Sequence, residues 1–254
     1  MTAARELTTI PAQFEQTLSA VPDNGAVFGG GTSLRFGQLH EEAVAAAQAL
    51  AHLGVRPGDR VGICMQKSLD QVVAILGVLW ANAVLVPIHP VLRAEQIRHM
   101  TTDCDMKLLL TESARIEELR DAAPGRIALG RGPAEQGIAS LIELRQQCHG
   151  SQPFFRAKAE QTAAIIYSSG STGRPKGIVI SHQNLADGAR LVASYLGTKP
   201  SDRIASVLPL TSDYSLNQLW QTLFTGSSLY LHDFIFPRDL FRLLASERIT
   251  ALPV

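Results

Sequence analysis

The sequence contains few cysteines, and those it has lie far apart. The chain of 254 residues has three cysteines, Cys64, Cys104 and Cys148, and no two of them form a CxxC pair. Because their number is odd, they cannot all pair with one another. Disulfide frameworks and structural zinc sites depend on paired or closely spaced cysteines. The cysteine pattern therefore argues against both, and it favours small buried thiols in a reducing compartment.

The sequence also lacks an excess of charge of either sign. Lysine plus arginine number 23 and aspartate plus glutamate number 23, so the formal net charge is +0. Nucleic acids and anionic membranes are bound by positive fields, which this balance does not supply. No apolar run is long enough to span a membrane, and the first residues, MTAARELTTIPAQFEQ, have no signal-peptide core. We therefore expect a cytoplasmic protein with no membrane span and no nucleic-acid partner.

Apolar runs and helical patterns alternate along the chain. The short apolar runs predict buried strands near Val61, Val84, Leu108, Ile165, Ala205 and Leu229. Apolar residues spaced three and four apart predict helices in SLDQVVAILGVLWANA, with Ser68 as its N-cap, and in RAEQIRHMTTD, ARIEELRDAA, IASLIELRQQC, NLADGARLVASYLG and PRDLFRLLASERI. The glycines and prolines of residues 123–137 predict a surface connection. Repeated strand–helix succession predicts an α/β fold of layered, mostly parallel β-sheets with covering helices.

One stretch, residues 167–177, combines hydroxyl groups, glycines and a lysine in the order YSSGSTGRPKG. It follows the apolar run AAIIYS, and ligands of open α/β sheets bind beyond the carboxyl ends of the strands. Glycines let backbone N–H groups approach an anion closely, and the hydroxyls and the lysine add further donors. The combination favours phosphate binding over an ordinary flexible Ser/Gly loop. Its lysine spacing differs from GxxxxGK[ST], which argues against a phosphotransferase with that phosphate loop.

In these residues the chain resembles the adenylate-forming superfamily of acyl- and aryl-CoA ligases, luciferases and nonribosomal peptide adenylation domains. The signature loop of that family is similar to YTSGTTGxPKG. Three further stretches resemble family segments in the family's order: SLRFGQLHEEA, GVRPGDRVGICMQKSLDQVVAILGVLWANAVLVPIHP and DRIASVLPLTSDYSLNQLWQTLFTGSSLYL. The resemblance extends from about Phe14 to the end of the chain.

The resemblance implies ATP-dependent activation of a small carboxylic acid. The carboxylate attacks the α-phosphate of ATP to form an acyl-adenylate and pyrophosphate, with Mg²⁺ assisting. A thiol, either of coenzyme A or of the phosphopantetheine on an acyl carrier protein, then takes the acyl group. The residues implied to contact the ATP phosphates are Ser168, Ser169, Gly170, Ser171, Thr172, Gly173 and Lys176.

Two residues in LPLTSDYS are candidates for binding the acid. Peptide-synthetase adenylation domains carry an aspartate in a similar run that pairs with the substrate amine, and Asp213 stands at that place. The alternative, which the residues alone slightly favour, is that Asp213 caps a helix starting near Ser215. Tyr214 is expected to line the acyl pocket, with an ordinary core tyrosine as the alternative. His182, which has no partner at metal-ligand spacing, is expected to be a hydrogen-bonded structural residue.

The last residues, ITALPV, predict the start of another buried strand, and a domain rarely ends inside a strand. We therefore expect residues 1–254 to be the amino-terminal portion of the AMP-binding large domain, without the rest of it or the small carboxyl-terminal domain. The family's catalytic lysine and its acidic Mg²⁺ residue would follow Val254, so no catalytic residue is assigned. We expect such a fragment to bind ATP weakly and to turn over poorly. A non-catalytic nucleotide-binding or scaffold relative is the alternative function.

Overall fold

The computed structural model describes residues 8–123, 125–135, 137–148, 156–168, 175–233 and 236–253. The helices are α1 (Ile10–Ala20), α2 (Phe36–His52), α3 (Leu69–Trp80), α4 (Ala94–Asp103), α5 (Ile116–Leu119), α6 (Leu141–Gln147), α7 (His182–Leu196), α8 (Asp213–Thr225) and α9 (Pro237–Ser246). The strands are β1 (Gly25–Gly29), β2 (Thr32–Arg35), β3 (Arg60–Ile63), β4 (Val84–Pro87), β5 (Met106–Thr111), β6 (Ile127–Leu129), β7 (Thr162–Ser168), β8 (Lys176–Ser181), β9 (Arg203–Ser206) and β10 (Ser228–Leu231).

The strands of the described residues form two sheets. The larger sheet has the order β6-β5-β3-β4-β7-β8, and the smaller has the order β2-β1-β10-β9. Neighbouring strands are parallel except for the antiparallel pairs β7–β8 and β1–β2. The prediction of layered, mostly parallel sheets with covering helices is therefore confirmed.

The main core lies between the two sheets. Helix α3 contacts β1 of the smaller sheet and β3 and β4 of the larger one, and it packs against α2. Its residues from Gln71 to Trp80 are buried on every side because both sheets and α2 cover it. Ser68 caps this helix as predicted, since its Oγ accepts the Gln71 N–H at 3.2 Å. A second cluster, around Ile97 and Met100 of α4, covers the opposite face of the larger sheet.

All six predicted strands and all six predicted helices are present, although α5 is shorter than the pattern ARIEELRDAA suggested. Several elements lie outside the predicted ones, namely α1, α2, β1, β2, β6 and β8. Strand β6 falls inside residues 123–137, so that segment is more than a surface connection. The strand predicted in ITALPV is represented by a single parallel bridge between Ala251 and Ile204.

Membrane-spanning helices are absent from the part of the chain that the structure describes.

Candidate functional site

The stretch YSSGSTGRPKG joins two hydrogen-bonded strands at the edge of the larger sheet. Strand β7 ends at Ser168, which lies opposite Lys176 at the start of β8. Because β7 runs parallel to β4, this hairpin connection leaves from the carboxyl end of the parallel strands. Both Ser168 and Lys176 are exposed, so the hydroxyl and the ammonium group are open to a ligand. The other predicted phosphate contacts lie outside the described residues: Ser169, Gly170, Ser171, Thr172 and Gly173.

Helix α4 holds both ends of this hairpin connection. On the β7 side, the Tyr167 hydroxyl donates to Asp103 Oδ2 at 2.6 Å. On the β8 side, His99 Nε2 lies 3.1 Å from the carbonyl oxygen of Pro175. A carbonyl oxygen only accepts hydrogen bonds, so Nε2 carries the proton in this contact. Burial, together with the bond to Asp103, raises the pKa of the Tyr167 hydroxyl and keeps it a donor.

Gly177 serves close packing within the hairpin rather than a turn. It lies inside β8 opposite Tyr167. A Cβ at this position would come within 2.7 Å of Ile165 Cγ2 and 3.2 Å of Tyr167 Cζ. The last glycine of the motif is therefore explained by the side chains of β7.

A cavity of about 620 Å³ lies beside α8. Residues of this helix form part of its lining, and the rest comes from α7, β9 and the neighbouring segments, with both apolar side chains and the polar Thr198, Asp202 and Thr250. The lining includes Tyr214, Asn217, Gln218 and Gln221 on α8, and Leu196, Ile204 and Leu252 outside it. Small-molecule sites in proteins have volumes of roughly 300–1,000 Å³, so this cavity is of a suitable size.

Asp213 and Tyr214 both line this cavity, and both are exposed at the start of α8. The helix begins at Asp213, and its N-cap is Ser212, whose Oγ accepts the Ser215 N–H at 3.3 Å. The expectation that Asp213 itself caps a helix near Ser215 is therefore wrong, because the preceding serine does so. Tyr214 has 53% of its surface exposed, so it is not an ordinary core tyrosine.

The sequence motifs did not reveal the other polar residues of α8 that line the cavity, Asn217, Gln218 and Gln221. A signal was present, since LNQLWQTL places polar residues on nearly every side of a helix whose leucines are buried. Such a helix must bury some of its polar side chains. Gln218 and Gln221 are indeed only 4% and 5% exposed.

His182 is a buried residue at the start of α7, with 0% of its surface exposed. Its backbone N–H donates to the carbonyl oxygen of Gln161 at 3.0 Å. Its ring nitrogens have no hydrogen-bond partner among the described residues, which departs from the expected hydrogen-bonded ring. Burial lowers the pKa of His182 to about 4, so the ring is neutral at physiological pH.

A comparison with protein-family models matches residues 14–254 to the family described as AMP-binding enzyme. Among curated proteins, tyrocidine synthase 1 of Brevibacillus parabrevis is 30% identical over 227 residues, which make up 87% of this chain and 20% of that protein. The AMB antimetabolite synthetase AmbB of Pseudomonas aeruginosa is 32% identical over 223 residues, which make up 88% of this chain and 17% of that protein. The chain therefore spans only a small part of the length of these relatives.

Two solved structures share the fold. The anthranilate CoA ligase AuaEII in complex with anthranoyl-AMP gives a TM-score of 0.89 at 24% identity, over 97% of this chain and 49% of that one. An artificially fused adenylation–PCP di-domain from Klebsiella oxytoca, NpsA-ThdA, gives 0.80 at 22% identity, over 98% and 48%. At these identities the likeness concerns the fold, whereas the family match concerns the sequence itself over nearly the whole chain. The chain belongs to the AMP-binding enzyme family.

Proposed function

We propose that this chain forms part of an enzyme that activates a small carboxylic acid with ATP. An oxygen of the carboxylate attacks the α-phosphorus, the bond from that phosphorus to the bridging oxygen breaks, and pyrophosphate leaves. The observation that carries the proposal is the family match over residues 14–254. The position of the YSSGSTGRPKG hairpin at the carboxyl end of β7 supports it.

The phosphates of ATP would bind at this hairpin. Lys176 would supply a positive charge and Ser168 a hydroxyl, with Ser169, Gly170, Ser171, Thr172 and Gly173 completing the contacts. Such a set neutralises charge on the phosphates and positions the α-phosphorus for attack, which is the main task of the protein in this reaction. The bonds from α4 to Tyr167 and Pro175 would keep the two ends of the hairpin connection in place.

Mg²⁺ would accompany the ATP, as is usual in sites where the metal is held largely by phosphate oxygens. The described residues contain no group of three or more His, Cys, Asp or Glu side chains that could hold a metal ion. None of the described residues is therefore assigned to Mg²⁺.

The acid would occupy the cavity beside α8, with Asp213 and Tyr214 near its carboxyl group or amine. The acyl acceptor would be a thiol. The ligase name of one structural neighbour supports coenzyme A, and the PCP domain of the other supports a carrier protein with its phosphopantetheine. We further propose that residues 1–254 are the amino-terminal portion of the large domain and that the protein acts in the cytoplasm.

The proposal is tested by carboxylate-dependent exchange between ATP and labelled pyrophosphate. The protein is expressed from its whole gene, and pools of fatty, aryl and amino acids are supplied. Exchange should appear with at least one pool. Lys176→Ala should then lower kcat/KM for ATP by roughly 10- to 150-fold, because one hydrogen bond from a charged group contributes about 1.5–3 kcal/mol. Lys158→Ala is the matched control, since Lys158 is exposed and precedes β7.

Each contrary result has a distinct meaning. ATP binding without exchange for any acid would support the non-catalytic relative instead. Release of ADP would indicate a phosphotransferase. Equal effects of the Lys176 and Lys158 substitutions would show that Lys176 does not bind the phosphates. They would not contradict the proposed reaction.

A further inference from the structure

Helix α4 contacts both ends of the YSSGSTGRPKG connection with one of its faces. His99 and Asp103 are four residues apart on this helix, so their side chains are neighbours about 6 Å apart along its axis. Asp103 Oδ2 accepts from the Tyr167 hydroxyl at the end of β7. His99 Nε2 donates to the carbonyl oxygen of Pro175, just before β8. One helix therefore holds the two ends of the connection relative to each other.

Helix α4 is itself fixed to the larger sheet. Ile97 and Met100 are 0% and 1% exposed and belong to the cluster that covers one face of this sheet. At the carboxyl end of the helix, Arg60 Nε of β3 donates to the Cys104 carbonyl oxygen at 2.6 Å. A hydrogen bond from α4 therefore ties the hairpin to the sheet rather than to a loosely attached surface helix.

The His99 hydrogen bond acts on the peptide group from which Lys176 begins. The carbonyl of Pro175 and the N–H of Lys176 belong to one planar unit, so holding the oxygen fixes the orientation of the whole plane. On the other side of Lys176, Gly177 lies close to the Tyr167 ring, whose Cζ would be 3.2 Å from a Cβ at that position. The backbone is thus held on both sides of the lysine.

The Lys176 side chain has no comparable support. It is exposed, and its ammonium group has no hydrogen bond or ion pair with the residues that the structure describes. A lysine carries its charge at the end of a flexible four-carbon stem. The region that the charge can reach is therefore set by the backbone from which this stem extends.

We propose that His99 is a positioning residue for Lys176. By holding the Pro175 carbonyl, it directs the ammonium group of Lys176 towards the phosphates of ATP. This inference rests on the proposed phosphate binding by the hairpin, and it adds a residue outside the motif on which that binding depends. In this role His99 contacts neither ATP nor the acid, and its effect passes through Lys176.

The test measures exchange between ATP and labelled pyrophosphate at varied ATP concentration, on the protein expressed from its whole gene. In His99→Leu, KM for ATP should rise roughly 3- to 10-fold, because one uncharged hydrogen bond is lost. KM for the acid at saturating ATP should stay within about 1.5-fold of the wild-type value. A general loss of structure would instead change both constants.

Two amide substitutions separate the hydrogen bond from the bulk of the ring. In His99→Gln, the amide nitrogen lies as many bonds from Cβ as Nε2 does in histidine, so it can donate to Pro175 and restore KM for ATP. In His99→Asn the amide is one bond shorter, and KM for ATP should rise as in His99→Leu. The comparison of these two variants still decides the question if His99→Leu does not fold.

The dependence on Lys176 is tested in a second background. In Lys176→Ala there is no ammonium group to position, so adding His99→Leu should change KM for ATP by less than about 1.5-fold. His89→Leu is the matched control. His89 also forms a backbone hydrogen bond, since its Nδ1 accepts from the Val91 N–H at 3.2 Å, but this bond lies in the connection before α4. The control should leave KM for ATP unchanged.

Four outcomes would overturn the role of His99 while acid activation stands. These are an unchanged KM for ATP in folded His99→Leu, an equal rise in KM for the acid, equal effects of the Gln and Asn substitutions, and an equal effect of His99→Leu with and without Lys176. No exchange by the wild type with any acid would overturn acid activation instead. The ratio of the ATP dissociation constants of wild type and His99→Leu, measured by equilibrium dialysis, would then decide the role of His99. No ATP binding by the wild type would overturn both proposals.

Discussion

The ionisable ring of His182 lies in an environment that does not stabilise its charged form. The ring is fully buried, and its lowered pKa of about 4 results from burial. An imidazole in an unfolded chain has a pKa of about 6.5. Between these two values the unfolded state binds more protons than the folded state, so stability rises with pH and is lost as the pH falls.

Between pH 7 and pH 5 the free energy of unfolding should fall by about 2 kcal/mol because of His182 alone. His182→Leu should flatten the dependence in this window, measured by urea unfolding at each pH. His52→Gln is the control for loss of a histidine, because His52 is exposed. A slope as steep in His182→Leu as in wild type would show that the ring is not the source.

At the scale of elements, the contact between α2 and α3 depends on a glycine. A Cβ on Gly77 of α3 would lie 2.6 Å from Ala46 Cβ and 3.2 Å from the Ala46 carbonyl carbon of α2. These atoms are rigid, so the helices would have to move apart. Small residues at this crossing therefore allow α3 to lie between the two sheets.

Gly77→Ala should lower the free energy of unfolding by roughly 1–3 kcal/mol, the usual cost of overpacking a core. The gain of about 1 kcal/mol in helix propensity offsets only part of this. Gly188→Ala on α7 is a matched control, since its Cβ would meet only the movable Asn217 Nδ2 at 3.3 Å. That change should be neutral or mildly stabilising by denaturant unfolding. If both substitutions stabilised the protein, the contact between α2 and α3 would have room for a Cβ at position 77.

The strands also show which secondary-structure elements a local sequence pattern can predict and which it cannot. Strands such as β3 and β4 were predicted because strands buried on both faces are continuous apolar runs. Strand β8 was not, although KGIVIS is apolar, because Ile178 and Val179 are exposed on an edge strand and depend on β7 for pairing. Strand β1 contains glycines at both ends, which weaken the strand signal.

In the candidate site, too, one part can be predicted from the local sequence and another part cannot. The phosphate motif was predicted from consecutive residues, since its chemistry is local to one connection. The buried polar residues Gln218 and Gln221 were not, because the cavity they line exists only where α7, α8, β9 and the residues after α9 meet. The spacing between two helices is not encoded in the residues around position 218.

At the scale of the whole molecule, one buried lysine connects the two sheets. Lys67 lies in the connection after β3 of the larger sheet, and its side chain is 3% exposed. Its Nζ donates to the carbonyl oxygens of Ser206 and His232 at 2.8 Å each, at the carboxyl ends of β9 and β10 in the smaller sheet. It also lies 3.0 Å from the carboxylate of Asp233. Burial lowers the pKa of Lys67, and Asp233 opposes that effect.

Lys67→Met should therefore weaken the association of the sheets while keeping the length of the side chain. The His232 carbonyl would lose the Lys67 donor, whereas the Ser206 carbonyl keeps the His232 N–H, and a buried group left unpaired costs about 1–3 kcal/mol. We expect the free energy of unfolding to fall within that range, measured by urea titration of tryptophan fluorescence. Lys107→Met is the control, because Lys107 is exposed on β5 and surface changes usually stay within about 0.5 kcal/mol. Equal effects of the two substitutions would mean that apolar packing around α3 alone holds the sheets together.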